Sequence, residues 1–426
     1  SCGAATTSWA RCFTSPPPFA GKWDIIVVGG GVAGVAAAVS AARAGKKTLI
    51  TEKSLTFGGL ATNGLINYFV PMCNGRGKQI IYGMADEMLK MSWKVGWTTT
   101  KECWRNDYPQ KNGRLDGRYS PAMFALALSD MLQKAGADIY LDTLLSGVVT
   151  NGGHVEGIIT DSKSGRQYLT ADYFVDATGD SDLMYRAGMP TVNGGNYFTY
   201  SAMGMNLETM ERAVKSGDIG SAYISYMGGK ANLYGGNQPQ GKKLYTGVTK
   251  EEVTEYVLDN QKLLMQNIGR LKPGTFDITM LPAVPQLRTT RRLDGDATFS
   301  EKDAYVHFDD SVCAINDFDR NDYLYEVRYG CLVKSGFDNV ITAGKSASAS
   351  GYGWDVLRVI PPAILTGQAA GNACSIALDD GAPIYGIDVE KLQEKLSGQN
   401  VDIHFDDALV PADKSGEKSH YDNGHI

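Results

Sequence analysis

The sequence predicts an α/β fold with a central parallel sheet, interrupted by a segment of mixed α+β structure. Residues 24–53 read as strand, glycine turn, helix and strand, and residues 339–379 return as strand, glycine loop and helix. Strands that alternate with helices are typical of parallel sheets covered by helices. Residues 190–280 differ in texture, because they are rich in Gly, Tyr and Met and then hold an amphipathic helix.

The segment from Asp24 to Lys53 has the residues of a pyrophosphate-binding turn. Its apolar strand is followed by Gly29, Gly31 and Gly34 in GxGxxG spacing. Gly29 permits a tight turn, Gly31 lets a ligand approach the backbone, and Gly34 lets the helix pack close to the sheet. The amides and the positive dipole end of that helix face an anionic group. Because strand, turn and helix occur in the required order, the segment predicts a dinucleotide site.

Glu52 adds information about the ligand. It follows the second strand, which we expect over residues 48–50. A carboxylate at this position can accept hydrogen bonds from both hydroxyls of a ribose. It would repel a 2′-phosphate, so the sequence argues against NADP.

Length, charge and hydropathy exclude several classes of protein. The chain has 426 residues, of which 43% are hydrophobic and 21% charged, and this predicts two or three globular domains. The net charge of −6, without a long basic run, argues against a nucleic-acid partner. No apolar stretch reaches the length of a transmembrane helix.

The seven cysteines are scattered, odd in number and without CxxC spacing. This distribution argues against a metal or iron–sulfur site, and we predict no metal ligands. Buried free thiols indicate a reducing compartment and hence a cytoplasmic location. The alternative is an exported lipoprotein in which Cys2 is the lipidated N-terminal residue.

The predicted organisation has five parts, which follow from changes in composition and pattern along the chain. They are a flexible leader at 1–23, a nucleotide-binding domain at 24–189, a substrate or cap domain at 190–285, the closing part of the nucleotide-binding domain at 286–400, and a polar tail at 401–426.

Three helix ends can be read from single residues. Ser120 is placed to cap the start of a helix that Gly136 ends. Thr249 and Glu252 have the spacing of a capping box at the start of a second helix over residues 250–268.

Three separated motifs occur in a fixed order along the chain. They are GGGVAGVAAAVSAARAGKKTLITEKSLTFGGLATNG, YFVDATGDSDLMYRAG and DNVITAGKSASASGYGWDVLRVIPPAILTGQAAGNACSIAL, with QLRTTRRLDGD just before the third. Together they resemble the FAD-dependent oxidoreductases of the glutathione-reductase-like superfamily, and most closely the branch near fumarate-reductase-type flavoproteins and the flavin subunit of heterodisulfide reductase. The resemblance covers under half of the chain and implies a Rossmann-like FAD-binding domain.

The resemblance implies which residues hold the adenosine half of FAD. Besides the glycine turn and Glu52, Val148 is the implied backbone partner of adenine, and Thr178 and Gly179 lie near the adenosine. For the other half, residues 59–63 and Gly344 with Lys345 pass beside the pyrophosphate and ribityl chain. The segment 358–360 brings backbone amides to the N1/O2 side of the isoalloxazine.

The full set of cofactor residues that the resemblance implies is Gly29, Gly31, Val32, Ala33, Gly34, Glu52, Lys53, Gly59, Leu60, Ala61, Thr62, Asn63, Val148, Ala177, Thr178, Gly179, Gly344, Lys345, Arg358, Val359 and Ile360.

Two departures from the family pattern bear on catalysis. Relatives usually have Arg where this chain has Lys345, so a point charge replaces a bidentate fork. Many relatives have a His within the stretch that reads Ser348–Gly351 here, and Tyr352 and Trp354 could fill the space. Arg288 and Arg291 are further candidates, able to bind a carboxylate or donate a proton. The alternative for both arginines is that they form interdomain salt bridges or simply face solvent.

These observations predict an FAD-dependent oxidoreductase that transfers a hydride between flavin N5 and a small organic substrate. One alternative is an electron-transfer flavoprotein subunit that works with a redox partner protein. Another is a protein in which FAD is structural. Residues 190–285 would select the substrate but hold no motif that identifies it, and the sequence leaves the oligomeric state open.

Overall fold

The computed structural model describes residues 16–105 and 113–413, which fold around a central sheet. The strands are β1 (Phe19–Val28), β2 (Thr48–Thr51), β3 (Tyr68–Phe69), β4 (Gly117–Arg118), β5 (Asp138–Tyr140), β6 (Leu144–Asn151), β7 (His154–Ser162), β8 (Gly165–Asp176), β9 (Thr191–Asn193), β10 (Thr199–Asn206), β11 (Ile224–Lys230), β12 (Phe276–Met280), β13 (Arg291–Leu293), β14 (Ser311–Asn316), β15 (Leu324–Arg328) and β16 (Val340–Thr342).

The helices are α1 (Val32–Arg43), α2 (Gly83–Val95), α3 (Glu102–Arg105), α4 (Pro121–Ala135), α5 (Asp182–Arg186), α6 (Leu207–Ser216), α7 (Lys250–Ile268), α8 (Gly351–Leu357), α9 (Ile360–Asp380) and α10 (Val389–Ser397).

Strands β5, β2, β1, β8 and β16 are parallel neighbours in that order. The antiparallel hairpin β6–β7 extends the sheet from the N-terminal half of β8. In the middle of the sheet, Ile26 of β1 lies between Leu49 and Phe174, and all three side chains are fully buried. Apolar side chains on both faces of a strand are typical of a parallel sheet covered by helices. The predicted α/β fold with a central parallel sheet is therefore confirmed.

The first strand is longer than the sequence pattern indicated. It begins at Phe19, and residues 19–23 pair with β8 from Tyr168 onwards. The prediction that the leader is flexible as far as residue 23 is thus wrong for its last residues. The sequence pattern did not predict these first residues of β1, because polar Lys22 interrupts the run of apolar residues.

Helices α1 and α9 pack closely against each other and both contact the central sheet. A Cβ on Gly367 would lie 2.1 Å from the Ala33 carbonyl oxygen, and one on Gly371 would lie 2.2 Å from that of Ala37. Only glycine allows this approach, and small alanines on α1 complete the contact. The packing places the N-termini of both helices on the same side of the sheet.

A three-stranded antiparallel sheet, in the order β11-β10-β12, lies in the interrupting segment. Helix α7 packs on it and buries Tyr256 and Leu264. The side chain of Asn260 joins the two, since it accepts from Gly229 N at 2.9 Å and donates to the Tyr256 carbonyl at 2.8 Å. The segment thus contains both strands and a helix, as predicted for mixed α+β structure. That it acts as a substrate or cap domain stays a prediction.

Two of the three predicted helix ends follow the expected chemistry. Ser120 precedes α4, and Gly136 ends it in the left-handed conformation with φ of 79°. At α7 the capping box is only half formed. The Thr249 hydroxyl accepts from Glu252 N at 3.2 Å, but the Glu252 carboxylate accepts from Gly247 N at 2.9 Å instead of turning back to Thr249. Glu252 therefore holds the preceding loop.

The C-terminal segment is packed rather than loose up to the end of the described residues. Val401, Ile403 and Phe405 are each less than a tenth exposed. The prediction of a polar tail from residue 401 is thus wrong for 401–405, where apolar residues alternate with polar ones and face the core. Cys2, on which the lipoprotein alternative depends, lies outside the described residues, as do 414–426.

Within 16–105 and 113–413, no helix has the length and apolar character needed to cross a membrane.

Candidate functional site

Strand β1 ends in a glycine turn that leads directly into helix α1. Gly29 N donates to the Thr51 carbonyl at 2.8 Å, which holds the turn over the end of β2. Gly31 is the last residue before the helix, with φ of −64° and ψ of 173°. A Cβ built on Gly31 would have nothing within 4 Å. The turn therefore leaves open space in front of the first helical amides, where an anion can reach them.

Glu52 lies at the carboxyl end of β2 and contacts the same turn. Its Oε2 accepts from Gly30 N at 2.6 Å, and its Oε1 accepts from Ser54 N at 2.7 Å. The residue is only 8% exposed. Each carboxylate oxygen has a further lone pair, so Glu52 can accept from a ribose while it also holds the glycine turn.

The second glycine loop, residues 59–63, uses its polar side chains to hold itself. The Thr62 hydroxyl donates to the Phe57 carbonyl at 2.6 Å. Asn63 Oδ1 accepts from the Thr56 hydroxyl at 2.6 Å. Only the first three residues of this loop line the cleft described below.

The carboxylate of Asp176 orders the loop that follows β8. It is fully buried and accepts from the Thr178 hydroxyl at 2.7 Å, from Thr178 N at 3.1 Å and from Met184 N at 2.9 Å. Burial raises the pKa of Asp176 to about 6, because the loss of hydration outweighs these hydrogen bonds. The carboxylate holds Thr178 and Gly179 at the edge of the cleft.

We expect this carboxyl to make the protein's stability depend on pH in acid solution. Its folded pKa of about 6 lies above the 3.8 of an ordinary Asp, so between these values the folded state holds the proton more tightly. The free energy of unfolding should therefore fall as the pH rises from about 4 to about 6, by up to roughly 3 kcal/mol relative to the Asp176→Asn variant.

Urea unfolding of both proteins across this pH range measures the difference. Asp130, an exposed carboxylate of α4, supplies the control variant Asp130→Asn, whose pH dependence should match that of the wild type. Equal pH dependence of the wild type and Asp176→Asn would contradict the expectation.

Lys345 connects the loop after β8 to the segment that precedes β13. Its Nζ donates to Asp180 Oδ1 at 2.9 Å, to the Leu287 carbonyl at 3.0 Å and to the Thr290 hydroxyl at 3.2 Å. Burial opposes the charge of Asp180, but Lys345 and the Thr290 hydroxyl outweigh it and lower the pKa of Asp180. An ammonium group has three protons, so Lys345 donates all of them to these three acceptors in the wall of the cleft.

Helix α9 begins at the same cleft. Ile360 is its first residue, and Pro361 and Pro362 follow. Proline has no N–H, so at this helix start the amides that can donate to a ligand are those of Val359 and Ile360. The helix has 21 residues, and its dipole adds positive potential at these amides.

Arg358 stands just before α9, between two cavities. Its Nε donates to Asp355 Oδ1 at 2.9 Å, and its Nη2 also contacts that oxygen. The residue lines both the cleft at the glycine turns and a second, smaller cavity that Arg288 and Asn232 also line. The Arg358–Asp355 pair is therefore the charged boundary between the two spaces.

The glycine turns, the loop after β8 and the start of α9 enclose one cleft of about 300 Å³. The residues of the predicted cofactor set that line it are Gly29, Gly31, Val32, Ala33, Glu52, Lys53, Gly59, Leu60, Ala61, Ala177, Thr178, Gly179, Gly344, Lys345, Arg358 and Ile360. Two helix N-termini and a carboxylate acceptor on one cleft fit a dinucleotide.

The remaining predicted cofactor residues lie behind or beside the cleft. Gly34 packs under the turn, where a Cβ would lie 1.9 Å from the Gly29 carbonyl oxygen. Thr62 and Asn63 hold their own loop, as described above. Val359 is the residue before α9. Val148 lies in β6, at the border of a core cluster on the sheet.

The two candidate catalytic arginines have different environments. Arg288 lines the second cavity beside Arg358. The Arg291 side chain is only 7% exposed, and its Nη2 lies 3.4 Å from Asp182 Oδ1. Its guanidinium also lies 4.0 Å from the centroid of the Tyr185 ring. Arg291 thus makes a salt bridge, but its partner Asp182 lies in the other part of the predicted nucleotide-binding domain and not in the substrate or cap domain. Neither cavity includes Arg291.

Tyr352, the third catalytic candidate, lies in a buried charged network. Its hydroxyl donates to Asp317 Oδ1 at 2.7 Å, and the Arg320 guanidinium lies 4.2 Å from its ring centroid. Burial, followed by the negative charge of Asp317, raises the pKa of Tyr352 far above its ordinary value. Tyr352 therefore keeps its proton, and it does not line either cavity.

Sequence reasoning missed the wall of the cleft that the interrupting segment supplies. Its residues are Gly247, Val253, Val284 and Pro285, and Leu287 at the start of the closing part continues the wall. They carry no motif, and their position depends on how this segment folds back onto the nucleotide-binding fold. Asp180 was also missed, although it directly follows Thr178 and Gly179 in the second motif and could have been included on that ground.

Comparison with known proteins gives a family for the chain. The family model described as FAD dependent oxidoreductase matches residues 24–212 and 225–396. Among curated proteins, none matches. Similar solved structures include a geranylgeranyl bacteriochlorophyll reductase-like protein from Thermoplasma acidophilum, which is 17% identical, with 89% of this chain and 84% of that chain covered and a TM-score of 0.41.

Two further similar structures are enzymes by name. A p-nitrophenol 4-monooxygenase from Pseudomonas putida is 14% identical, with 89% of this chain and 84% of that chain covered and a TM-score of 0.45. An L-proline dehydrogenase from P. horikoshii is 14% identical, with 91% of this chain and 100% of that chain covered and a TM-score of 0.40.

Proposed function

Because this chain belongs to the family of FAD-dependent oxidoreductases, we propose that it transfers a hydride between flavin N5 and a small organic substrate. FAD, when bound, supplies the two-electron redox chemistry. The observation that carries the proposal is the single cleft onto which the N-termini of α1 and α9 both open. One terminus suits a pyrophosphate, and the other suits the polar edge of a flavin ring.

The adenosine half of the cofactor is assigned to the first glycine turn. Open space at Gly31 brings the α1 amides to the pyrophosphate. Glu52 accepts from the adenosine ribose through the lone pairs that Gly30 and Ser54 leave unused. The Asp180–Lys345 pair keeps the opposite wall of the cleft in place.

The reactive half is assigned to the start of α9. The amides of Val359 and Ile360 are fixed donors, and together with the helix dipole they stabilise negative charge in a site that excludes water. Val253 and Pro285 of the interrupting segment, together with Leu287 just after it, supply an apolar wall. That wall keeps bulk water away from the reacting atoms.

The second cavity is the proposed position of the substrate. It shares Arg358 with the cofactor cleft, and Arg288, Asn232 and Asp355 also line it. A guanidinium can bind a carboxylate through two parallel hydrogen bonds. Arg288 is therefore the proposed anchor for a small substrate that carries an acidic or strongly polar group.

Absorbance spectroscopy tests the proposed function. The purified protein should contain FAD or take it up on addition. Under anaerobic conditions, small organic acids and amines should include at least one compound that bleaches the oxidised flavin or reoxidises the photoreduced flavin. Protein that binds no flavin contradicts the proposal. Flavin that resists photoreduction favours a structural role instead.

The charge of Arg358 should influence the reduction potential of the flavin. In the Arg358→Met variant the Asp355 carboxylate loses its partner, so net negative charge near the flavin increases. We expect the two-electron midpoint potential to become more negative by about 30 mV, a tenfold change in the equilibrium. Redox titration against indicator dyes measures the shift.

Arg358→Lys is the matched variant, since it keeps the positive charge and should remain close to the wild type. A midpoint potential that is the same in Arg358→Met and in the wild type would place Arg358 away from the ring.

A further inference from the structure

A cluster of two histidines and a glutamate lies outside the cleft and takes no part in the proposed function. His307 precedes β14, Glu326 belongs to β15, and His404 lies in the C-terminal segment after α10. Glu326 Oε1 is 2.5 Å from His307 Nδ1 and 3.0 Å from His404 Nδ1. The Glu326 side chain is fully buried, while the two rings are 40% and 48% exposed.

The three groups have the separations of a cation site. One ligand atom from each of the three lies within 4.8 Å of the others. Zinc binds nitrogen and oxygen at about 2.0–2.2 Å, so the ligand atoms of a tetrahedral site are roughly 3.3 Å apart. Small movements of the two histidine rings would lengthen their Nδ1–Oε1 distances to Glu326, now 2.5 Å and 3.0 Å, to about this separation. The exposed faces of the rings leave a further position for water.

The neighbours of the cluster orient the proposed ligands. His307 Nε2 lies 3.1 Å from Asp407 Oδ1, and the His307 ring stacks on Phe405 with 4.2 Å between centroids. Phe308 N donates to Glu326 Oε2 at 2.7 Å. A histidine that donates one ring N–H to a carboxylate presents its other nitrogen as a lone pair, which is the usual arrangement around metal ligands.

We propose that His307, Glu326 and His404 bind a divalent transition cation, with Zn²⁺ as the best match. Two imidazole nitrogens and one carboxylate form a donor set that suits zinc. Such an ion would join the C-terminal segment to the β14–β15 hairpin. The spacing of the cysteines gave no sign of this site, because these ligands are distant in sequence and meet only after folding.

Calorimetric titration of the FAD-loaded, chelator-treated protein with zinc chloride tests the site. The wild type should bind one Zn²⁺ per chain, and its Tm should rise in the presence of the ion. His404→Ala and His307→Ala should each weaken this binding at least 100-fold. Asp407→Asn keeps all three ligands and should weaken it about tenfold.

His154→Ala is the matched control. His154 Nδ1 also contacts a carboxylate, that of Asp338 at 2.8 Å, and its side chain is 46% exposed, but the cluster does not include it. This variant should bind zinc as the wild type does.

Amide hydrogen exchange provides a second measurement. Zinc should slow the exchange of the backbone amides of residues 401–410 in the wild type, but it should not do so in the His404→Ala variant. Binding that is equally strong in the wild type and in a folded His404→Ala variant, or equally reduced by His154→Ala, would overturn the proposal.

Discussion

Replacing Gly31 with alanine is expected to weaken FAD binding roughly 10- to 100-fold while the fold stays intact. A methyl group at this position meets no protein atom within 4 Å, and the backbone has φ of −64°, which alanine adopts readily. The methyl group would occupy the space through which the pyrophosphate reaches the α1 amides. Losing one charge-assisted hydrogen bond costs about 1.5–3 kcal/mol, which corresponds to this change in affinity.

Titration of the flavin-free protein with FAD, followed by flavin fluorescence, measures the effect. Gly398→Ala is the matched control, because Gly398 has φ of −63° and ordinary contacts at 3.4 and 3.5 Å, and it lies outside the cleft. Both variants should have the Tm of the wild type without FAD. If Gly31→Ala binds FAD as tightly as the wild type, the pyrophosphate does not lie at this turn.

Replacing Glu52 with alanine should affect both stability and cofactor binding. The amides of Gly30 and Ser54 lose their acceptors at a site where the carboxylate is only 8% exposed. Each unsatisfied buried donor costs about 1–3 kcal/mol, so we expect the free energy of unfolding to fall by about 2 kcal/mol or more. Loss of the ribose acceptor should weaken FAD binding at least tenfold in addition.

Urea unfolding of the flavin-free protein and FAD titration separate the two effects. Asp24→Ala is the control, since the Asp24 carboxylate also accepts from a backbone amide, Lys47 N at 2.7 Å, but at an exposed position outside the cleft. It should lose less stability and bind FAD normally. A Glu52→Ala variant that is destabilised yet binds FAD with wild-type affinity would limit Glu52 to a structural role.

Much of the cleft could be predicted because its residues follow one another along the chain. The turn from Gly29 to Gly31 and the acid at Glu52 belong to a single strand–turn–helix–strand unit, in which spacing determines position. The third motif likewise predicted a helix after the glycine loop, but its start at Ile360 came from the structure. Boundaries were less certain, as the early start of β1 at Phe19 illustrates.

The candidate catalytic residues were harder to place because their partners are distant in sequence. Tyr352 meets Asp317, 35 residues away, and Arg291 meets Asp182, 109 residues away. A charged or phenolic side chain can face a substrate or a structural partner, and residue type alone does not distinguish these outcomes. The same uncertainty applied to Lys345, whose three protons are taken up by the cleft wall.

By itself, the sequence determined the class of fold and the cofactor, since contiguous motifs set the local geometry of the strands, glycine turns and helix starts. Only the tertiary structure decided which charged side chains are already paired, where the interrupting segment closes the cleft, and that His307, Glu326 and His404 meet. The physical reason is that hydrogen bonds and ion pairs act over a few ångströms. The groups that they join are brought within that distance only when segments far apart in the chain pack together.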